Sequence, residues 1–218
     1  MPAFARLNPA ALVTATRAVY TGLRDSPELL ALLKDYGYAL ADVEHGLDLT
    51  EDVETEAGEQ QAEYAEQYAA TSAAQAAVAD LEALLVRHRT LAGIAHPRGS
   101  EGYRGLGLTG RLPGGASGLV GSGSTFYRAI ETDPALAAGV RGLGPDAVAD
   151  GLQRVEAARV AMDTQSRETG EAQQATAELL TALARLRAHG TEMARVAEVA
   201  LADRPQARES LGLMERGA

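Results

Sequence analysis

The feature that most constrains the fold is an internal repeat, in which the same residues return 105 positions further along the chain. The recurring pairs are Val43/Val148, Gly46/Gly151, Leu47/Leu152, Glu51/Glu156, Gln60/Gln165, Glu63/Glu168, Glu66/Glu171, Ala70/Ala175, Thr71/Thr176, Ala77/Ala182, Ala79/Ala184, Leu81/Leu186, Ala92/Ala197 and Ala95/Ala200. Each copy then closes on Leu-Gly-Leu, at 106–108 and 211–213. A repeat of this length is a whole supersecondary unit rather than a short solenoid period.

Composition predicts an all-α fold for each copy. Ala, Leu and Val supply most of the apolar content, and the chain has no Trp and only 2 Phe. Ala and Leu are strong helix formers, whereas the β-branched and aromatic residues that favour strands are few. The chain has no Cys, which excludes disulfides and thiolate metal sites.

Short helices are predicted at the start of each copy. Tyr20 and Tyr127, offset by 107, lie in segments expected to be helical at about 9–24 and 122–131. Asp25-Ser26-Pro27 and Thr132-Asp133-Pro134 then combine a capping side chain with Pro at the first helical position. The helices that they open are predicted over 28–36 and 135–143, ending at Gly37 and Gly144.

A long helical pattern follows in each copy. The segment 40–95 has no Pro, and its apolar residues recur at intervals of three and four, as they do over 148–199. Each segment is either one helix of about 50 residues, about 75 Å long, or a hairpin that breaks at its polar middle. The apolar spacing continues across the middle and favours one helix. Acidic residues in the first half of segment 40–95 and Arg185, Arg187 and Arg195 in the second copy favour antiparallel packing.

The predicted fold is therefore an all-α, internally duplicated, elongated helical bundle with long antiparallel coiled-coil-like helices. Residues 1–108 form the first repeat and 126–218 form the second. Residues 109–125 are rich in Gly and Ser and are predicted to be a linker, flexible in its second half.

Charge excludes several classes of partner. The net charge is −10, and no Lys or Arg lies between Lys34 and Arg87. Nucleic acids and anionic membranes require basic residues to neutralise phosphate, so neither is an expected partner. The sequence shows no secretory leader pattern and no stretch approaching the roughly 20 apolar residues of a membrane span. The expected location is cytoplasmic.

An acidic helix face is the candidate metal site. Asp48, Asp52, Glu56 and Glu59 partly match the ligand spacing of a calcium loop, but Val53 stands where that loop requires Gly. On a helix these carboxylates form a stripe that could bind divalent cations. The alternative is a solvated acidic face or one that meets arginines.

A polar layer interrupts the apolar stripe in both copies. Its predicted members are Tyr64, Tyr68 and Thr71 in the first copy and Thr169, Gln173 and Thr176 in the second. Buried polar groups must find partners and thereby set helix register. The layer is interpreted as a register-setting crossing of the two helices or as a small-molecule or ion pocket.

Catalytic patterns lack the context that they require. Gly105-Leu-Gly-Leu-Thr-Gly110 follows a helix rather than a strand, so it is interpreted as a helix terminator and not as a dinucleotide site. No Glu-x-x-His pair supports a di-iron centre. The protein is therefore predicted not to be an enzyme and to need no cofactor.

The combination of these elements with Gly170-Glu-Ala-Gln-Gln-Ala-Thr176 and Ala65-Glu-Gln-Tyr-Ala-Ala-Thr71 resembles uncharacterised bacterial all-helical proteins built from a tandem duplication of about 105 residues. The resemblance implies no known activity. The predicted function is a non-enzymatic structural or protein-interaction module that self-associates as a homo-oligomer or binds a protein partner. The alternative is a divalent-metal-binding or storage protein that uses the acidic face.

Overall fold

The computed structural model describes residues 4–213, which form helices joined by turns and contain no strand. The α-helices are α1 (Pro9–Arg24), α2 (Pro27–Lys34), α3 (Leu40–Ala95), α4 (Glu101–Gly105), α5 (Ala116–Thr132), α6 (Pro145–Ala200) and α7 (Pro205–Ser210), with 3-10 helices at Phe4–Arg6 and Pro134–Ala137. The all-α prediction is confirmed. The outermost residues of the two predicted repeats, 1–3 and 214–218, lie outside the described part of the chain.

Helices α3 and α6 are each continuous, so the hairpin alternative is not observed. Neither helix has an internal Pro to interrupt its hydrogen bonds, and Pro145 occupies the first turn of α6, where it is tolerated. The spacing of three and four gives each helix a buried stripe, such as Val43, Leu49 and Val53 in α3. Each long helix therefore packs along one face.

Helix α3 is also long and apolar enough to cross a membrane when judged by length and composition alone. Its most apolar 18-residue window has a mean hydropathy of 1.2, and 17% of that window is buried. A single helix of this kind is weak evidence, since helices of soluble proteins meet the same criteria. The predicted absence of a membrane partner stays a prediction.

The chain divides into two compact units, and neither is a contiguous repeat. The first unit comprises Met1–Tyr64 and Ala172–Ala218, and the second comprises Ala65–Glu171. Each unit therefore contains one part of α3 and one part of α6. The core of the first includes Tyr20, Leu33 and Leu186, and that of the second includes Leu85 and Tyr127.

Helix α5 includes the helix predicted at about 122–131, but it begins at Ala116, within the segment 109–125 that was predicted to be a linker. Leu119 and Phe126 are buried on this helix. A Cβ atom at Gly123 would lie 2.9 Å from Cγ2 of Val155, so glycine allows close approach to α6. Tertiary packing thus stabilises a helix whose glycine content disfavours it locally.

The short helix predicted over 135–143 is also corrected, because only the 3-10 helix Pro134–Ala137 forms there. Gly139 and Gly142 have φ of 79° and 80°, which end the helical path. Gly144 does not end a helix but directly precedes α6. In the first copy, α2 does form, and Gly37 follows it with a φ of 84°.

The two Leu-Gly-Leu segments are helix terminators, as predicted. Gly107 and Gly212 have φ of 58° and 67°, and the four flanking leucines are buried. The amide of Leu108 donates to the Tyr103 carbonyl at 3.1 Å, and that of Leu213 donates to the Arg208 carbonyl at 2.9 Å. These bonds satisfy carbonyls that a helix end would otherwise leave unpaired.

Candidate functional site

A buried tyrosine packs directly on the backbone of α3 in the first unit. A Cβ atom at Gly46 would lie 2.4 Å from Cζ of Tyr20, so the ring requires a glycine beneath it. The Tyr20 side chain is fully buried, and its hydroxyl forms a 2.7 Å hydrogen bond with Nδ1 of His189. The Tyr20 side chain of α1 thus contacts α3 at Gly46 and α6 at His189.

The second unit contains the same arrangement built from α5, α6 and α3. A Cβ atom at Gly151 would lie 2.3 Å from Cε1 of Tyr127, and the Tyr127 hydroxyl lies 3.0 Å from Nδ1 of His88. The sequence indicated the recurring tyrosines and glycines and placed His88 on the apolar stripe as a buried, hydrogen-bonded histidine, which is confirmed, but it did not pair either histidine with its tyrosine. The two histidines are not repeat-matched, since Met193 stands where the repeat would place a counterpart of His88.

Burial keeps both Tyr–His pairs neutral near pH 7. It raises the pKa of Tyr20 and Tyr127 far above the usual value and lowers the pKa of His88 and His189. His45, whose ring centroid lies 5.2 Å from that of His189, lowers the pKa of His189 further. Since a catalytic acid or base needs a pKa near the working pH, these tyrosines are suited to structural hydrogen bonds.

The predicted polar layer is realised in part. In the first unit, Thr176 Oγ1 accepts a 3.1 Å hydrogen bond from Gln60 Nε2 and lies 3.2 Å from the Tyr64 hydroxyl. In the second unit, Gln165 Nε2 donates to Thr71 Oγ1 at 3.5 Å. The Thr169 hydroxyl donates to the Gln165 carbonyl of its own helix.

Two other predicted members of the layer lie at the surface, and Tyr64 is itself exposed although its hydroxyl reaches Thr176. Tyr68 is 72% exposed, and Gln173 is also exposed. Because successive helical residues are separated by about 100°, a small error in the assumed face moves a side chain from the interface to the solvent.

The four acids of the predicted metal site are not assembled into one. Asp48, Asp52 and Glu59 are exposed, and Glu56 is half-buried on the same helix. Desolvation and the neighbouring charges of Glu59, Glu178 and Asp52 raise the pKa of Glu56. Among residues 4–213, no set of three acidic or histidine side chains with ligand atoms within 4.8 Å of one another includes any of these four.

An apolar pocket of about 460 Å³ lies in the second unit, between the end of α5, the turn that follows it and the start of α6. Ile130, Leu143, Val148 and Leu152 form much of its wall, and Glu131 is its one charged lining residue. Its volume is within the range of small-ligand and side-chain pockets. With so few polar groups, the pocket suits an apolar guest and offers little for catalysis.

The pocket arises where the second copy has lost side-chain volume. At the 107-residue offset, Ala137 and Gly139 stand where the first copy has Leu30 and Leu32. The leucines belong to helix α2, whereas the second copy has only a 3-10 turn. The residues and the local backbone that form this pocket wall therefore differ between the copies.

An exposed isoleucine lies on the part of α3 that contacts the pocket-forming turn. Ile94 is 77% exposed. Two residues later, His96 Nε2 lies 2.8 Å from the carbonyl oxygen of Leu136 in the pocket-forming turn. The Leu91 side chain also approaches Gly142, with a distance of 3.8 Å to a Cβ atom placed there. The end of α3 thus contacts the pocket-forming turn through Leu91 and His96, and Ile94 lies exposed between them in the sequence.

Known proteins supply no functional assignment for these features. Comparison with protein-family models, curated proteins and solved structures finds no match to this chain. The features that bear on function are therefore the apolar pocket, the exposed apolar side chains and the polar contacts between helices.

Proposed function

We propose that this protein is a non-enzymatic helical module that self-associates, with Ile94 of one copy entering the apolar pocket of a second copy. The observation that carries this proposal is an apolar pocket of about 460 Å³ in a unit that also exposes an isoleucine, Ile94, to 77%. A two-fold axis between the copies would let each isoleucine fill the pocket of the other copy, because such an interface uses the same residues of both copies.

Burial of apolar area provides the driving force. Fully burying one isoleucine side chain contributes about 1.5–3 kcal/mol, and a reciprocal interface gains this twice. Burial of the two Ile94 side chains alone does not offset the entropy lost on association, so the interface must include further apolar contacts. Large exposed apolar side chains available on the described helices include Leu40, Tyr64, Tyr68, Val160, Leu180 and Val199.

We also propose that the two copies arose by tandem duplication and pack α3 against α6 as an antiparallel pair. Support within the first unit comes from His45 beside His189 and Tyr64 beside Thr176, where residue numbers rise on one helix and fall on the other. Support for duplication comes from the Gln–Thr hydrogen bonds, in which Gln60–Thr176 and Gln165–Thr71 use repeat-matched residues.

Sedimentation velocity on the full chain at tens of micromolar tests self-association. We expect a dimer or larger species for the wild type and a shift to monomer for Ile94→Lys. Val86→Lys is the matched control, since Val86 is also an exposed apolar residue of α3 and should leave the oligomer unchanged.

The pocket is tested from its own side with Ala137→Leu, which restores the residue of the first copy and reduces the space for a guest. Its control is Ala135→Leu, an exposed position on the same 3-10 helix that does not line the pocket. We expect at least a tenfold weaker association for Ala137→Leu only. A monomeric wild type, or association unchanged by both Ile94→Lys and Ala137→Leu, would refute the proposal.

A further inference from the structure

A buried glutamate in the second unit is only half satisfied. Glu168 on α6 is 5% exposed, and its Oε1 accepts a hydrogen bond from Nη2 of Arg167. Its Oε2 is buried and has no hydrogen-bond partner within the described chain. A buried carboxylate oxygen without a partner is costly, so this atom indicates a missing ligand.

The surroundings of the Glu168 carboxylate are acidic. Ligand oxygens of Glu66, on α3, and Glu168 lie within 4.8 Å of each other. Glu171 binds Arg167 through both carboxylate oxygens, at 3.1 and 2.9 Å. Glu168 and Glu171 therefore share one guanidinium, and Glu66 adds a further negative charge beside the buried carboxylate.

We propose that Glu66 and Glu168 together bind one hard divalent cation, of the class of Mg²⁺, Ca²⁺ or Mn²⁺. Such cations prefer oxygen ligands at about 2.0–2.6 Å, so two carboxylate oxygens less than about 5 Å apart can share one ion. Arg167 holds Oε1 of Glu168 and leaves Oε2 for the cation. Water completes the coordination, as is common for Mg²⁺ bound by one or two carboxylates.

This site differs from the acidic stripe at residues 48–59. Its ligands come from both long helices, and one of them is buried. The stripe consists of exposed or half-buried side chains of a single helix. A cation between Glu66 and Glu168 would therefore bind two helices of the second unit together and stabilise that unit.

Isothermal titration calorimetry of the full chain with MgCl₂, CaCl₂ and MnCl₂, each in 0.15 M KCl, tests the proposal. We expect binding of about one ion per chain for at least one of these cations. Glu168→Gln and Glu66→Gln should each weaken that binding at least tenfold. The matched control is Asp163→Asn, which removes an exposed carboxylate from α6 and should leave the affinity unchanged.

Two further measurements make failure unambiguous. Thermal denaturation without added cation should show Glu168→Gln folded and at least as stable as the wild type, because the substitution removes a buried charge. Electron paramagnetic resonance of Mn²⁺ reports binding independently of heat. The proposal would be overturned if neither calorimetry nor electron paramagnetic resonance detects binding at millimolar cation. It would also be overturned if the wild type and both glutamine variants bind the cation with equal affinity. Neither outcome bears on self-association through Ile94.

Discussion

Replacing Gly46 with Ala should destabilise the first unit, although Ala is the better helix former. In a helix interior Ala is favoured over Gly by about 1 kcal/mol. At Gly46 the added Cβ would lie 2.4 Å from Cζ of Tyr20, about 1 Å inside van der Waals contact. The predicted sign therefore depends on whether the ring can move.

The surroundings of Tyr20 oppose that movement. The ring is fully buried, and its hydroxyl is held by His189 at 2.7 Å. Overpacking a core typically costs about 1–3 kcal/mol, and losing the hydrogen bond adds about 1 kcal/mol. After the helix-propensity gain is subtracted, we expect Gly46→Ala to lower the free energy of unfolding by about 1–3 kcal/mol.

Gly58→Ala is the matched control, because Gly58 lies on the same helix in the same unit and a Cβ there meets nothing within 4 Å. It should stabilise the protein by up to about 1 kcal/mol. Urea denaturation followed by circular dichroism measures both variants. The second unit offers an independent pair, Gly151→Ala against Gly170→Ala, with the same expected signs.

Equal stability of Gly46→Ala and Gly58→Ala would refute the argument. It would mean that the Tyr20 ring shifts at negligible cost and that the glycine is not needed for close packing.

Two further predictions concern the Tyr–His pair of the second unit. Tyr127→Phe leaves Nδ1 of the buried His88 without its partner, so we expect a loss of about 1–3 kcal/mol in urea denaturation; a loss below about 0.5 kcal/mol would contradict this. Burial lowers the pKa of His88 in the folded protein, so at pH below the ordinary value of about 6.5 the unfolded chain takes up a proton that the folded chain resists. The stability that His88 contributes is therefore present above pH 6.5 and is lost as the pH falls toward the lowered pKa. Stability measured from about pH 7.5 to 5.5 should fall less steeply in His88→Gln than in the wild type, and identical slopes would exclude the histidine as a cause.

The long helices were predictable because their signals are local. The absence of Pro and the spacing of three and four over 40–95 act within a few turns, and α3 has those bounds. The terminal Leu-Gly-Leu segments were equally predictable, because a glycine between two apolar residues ends a helix through interactions of neighbouring residues only.

The start of helix α5 was not predictable from composition. Glycines such as Gly123 suggest a flexible backbone, but in the structure the missing side chain permits contact with Val155. The composition of a segment indicates its conformational freedom, but it does not indicate which distant residues pack against that segment. The same gap explains the pocket, since the effect of Ala137 and Gly139 depends on the neighbours that remain around them.

Some side chains of the candidate site were predictable from the sequence and others were not. Thr71 and Thr176 were expected in the polar layer and do form hydrogen bonds with glutamines. The partnership of Tyr127 with His88, and the burial of Glu168, had no sequence signal. His88 and Tyr127 are 39 residues apart and lie on different helices.

Local sequence signals indicated the helical class, favoured uninterrupted long helices over hairpins, and located the turns at Gly37, Gly107 and Gly212, because propensity and periodicity operate between residues a few positions apart. The tertiary structure decided which distant residues meet, including each tyrosine with its histidine and Glu66 with Glu168. It also decided that each compact unit joins parts of both repeats. Such contacts depend on the packing of whole helix faces, where burial of apolar area sets the arrangement and the polar groups pair within it.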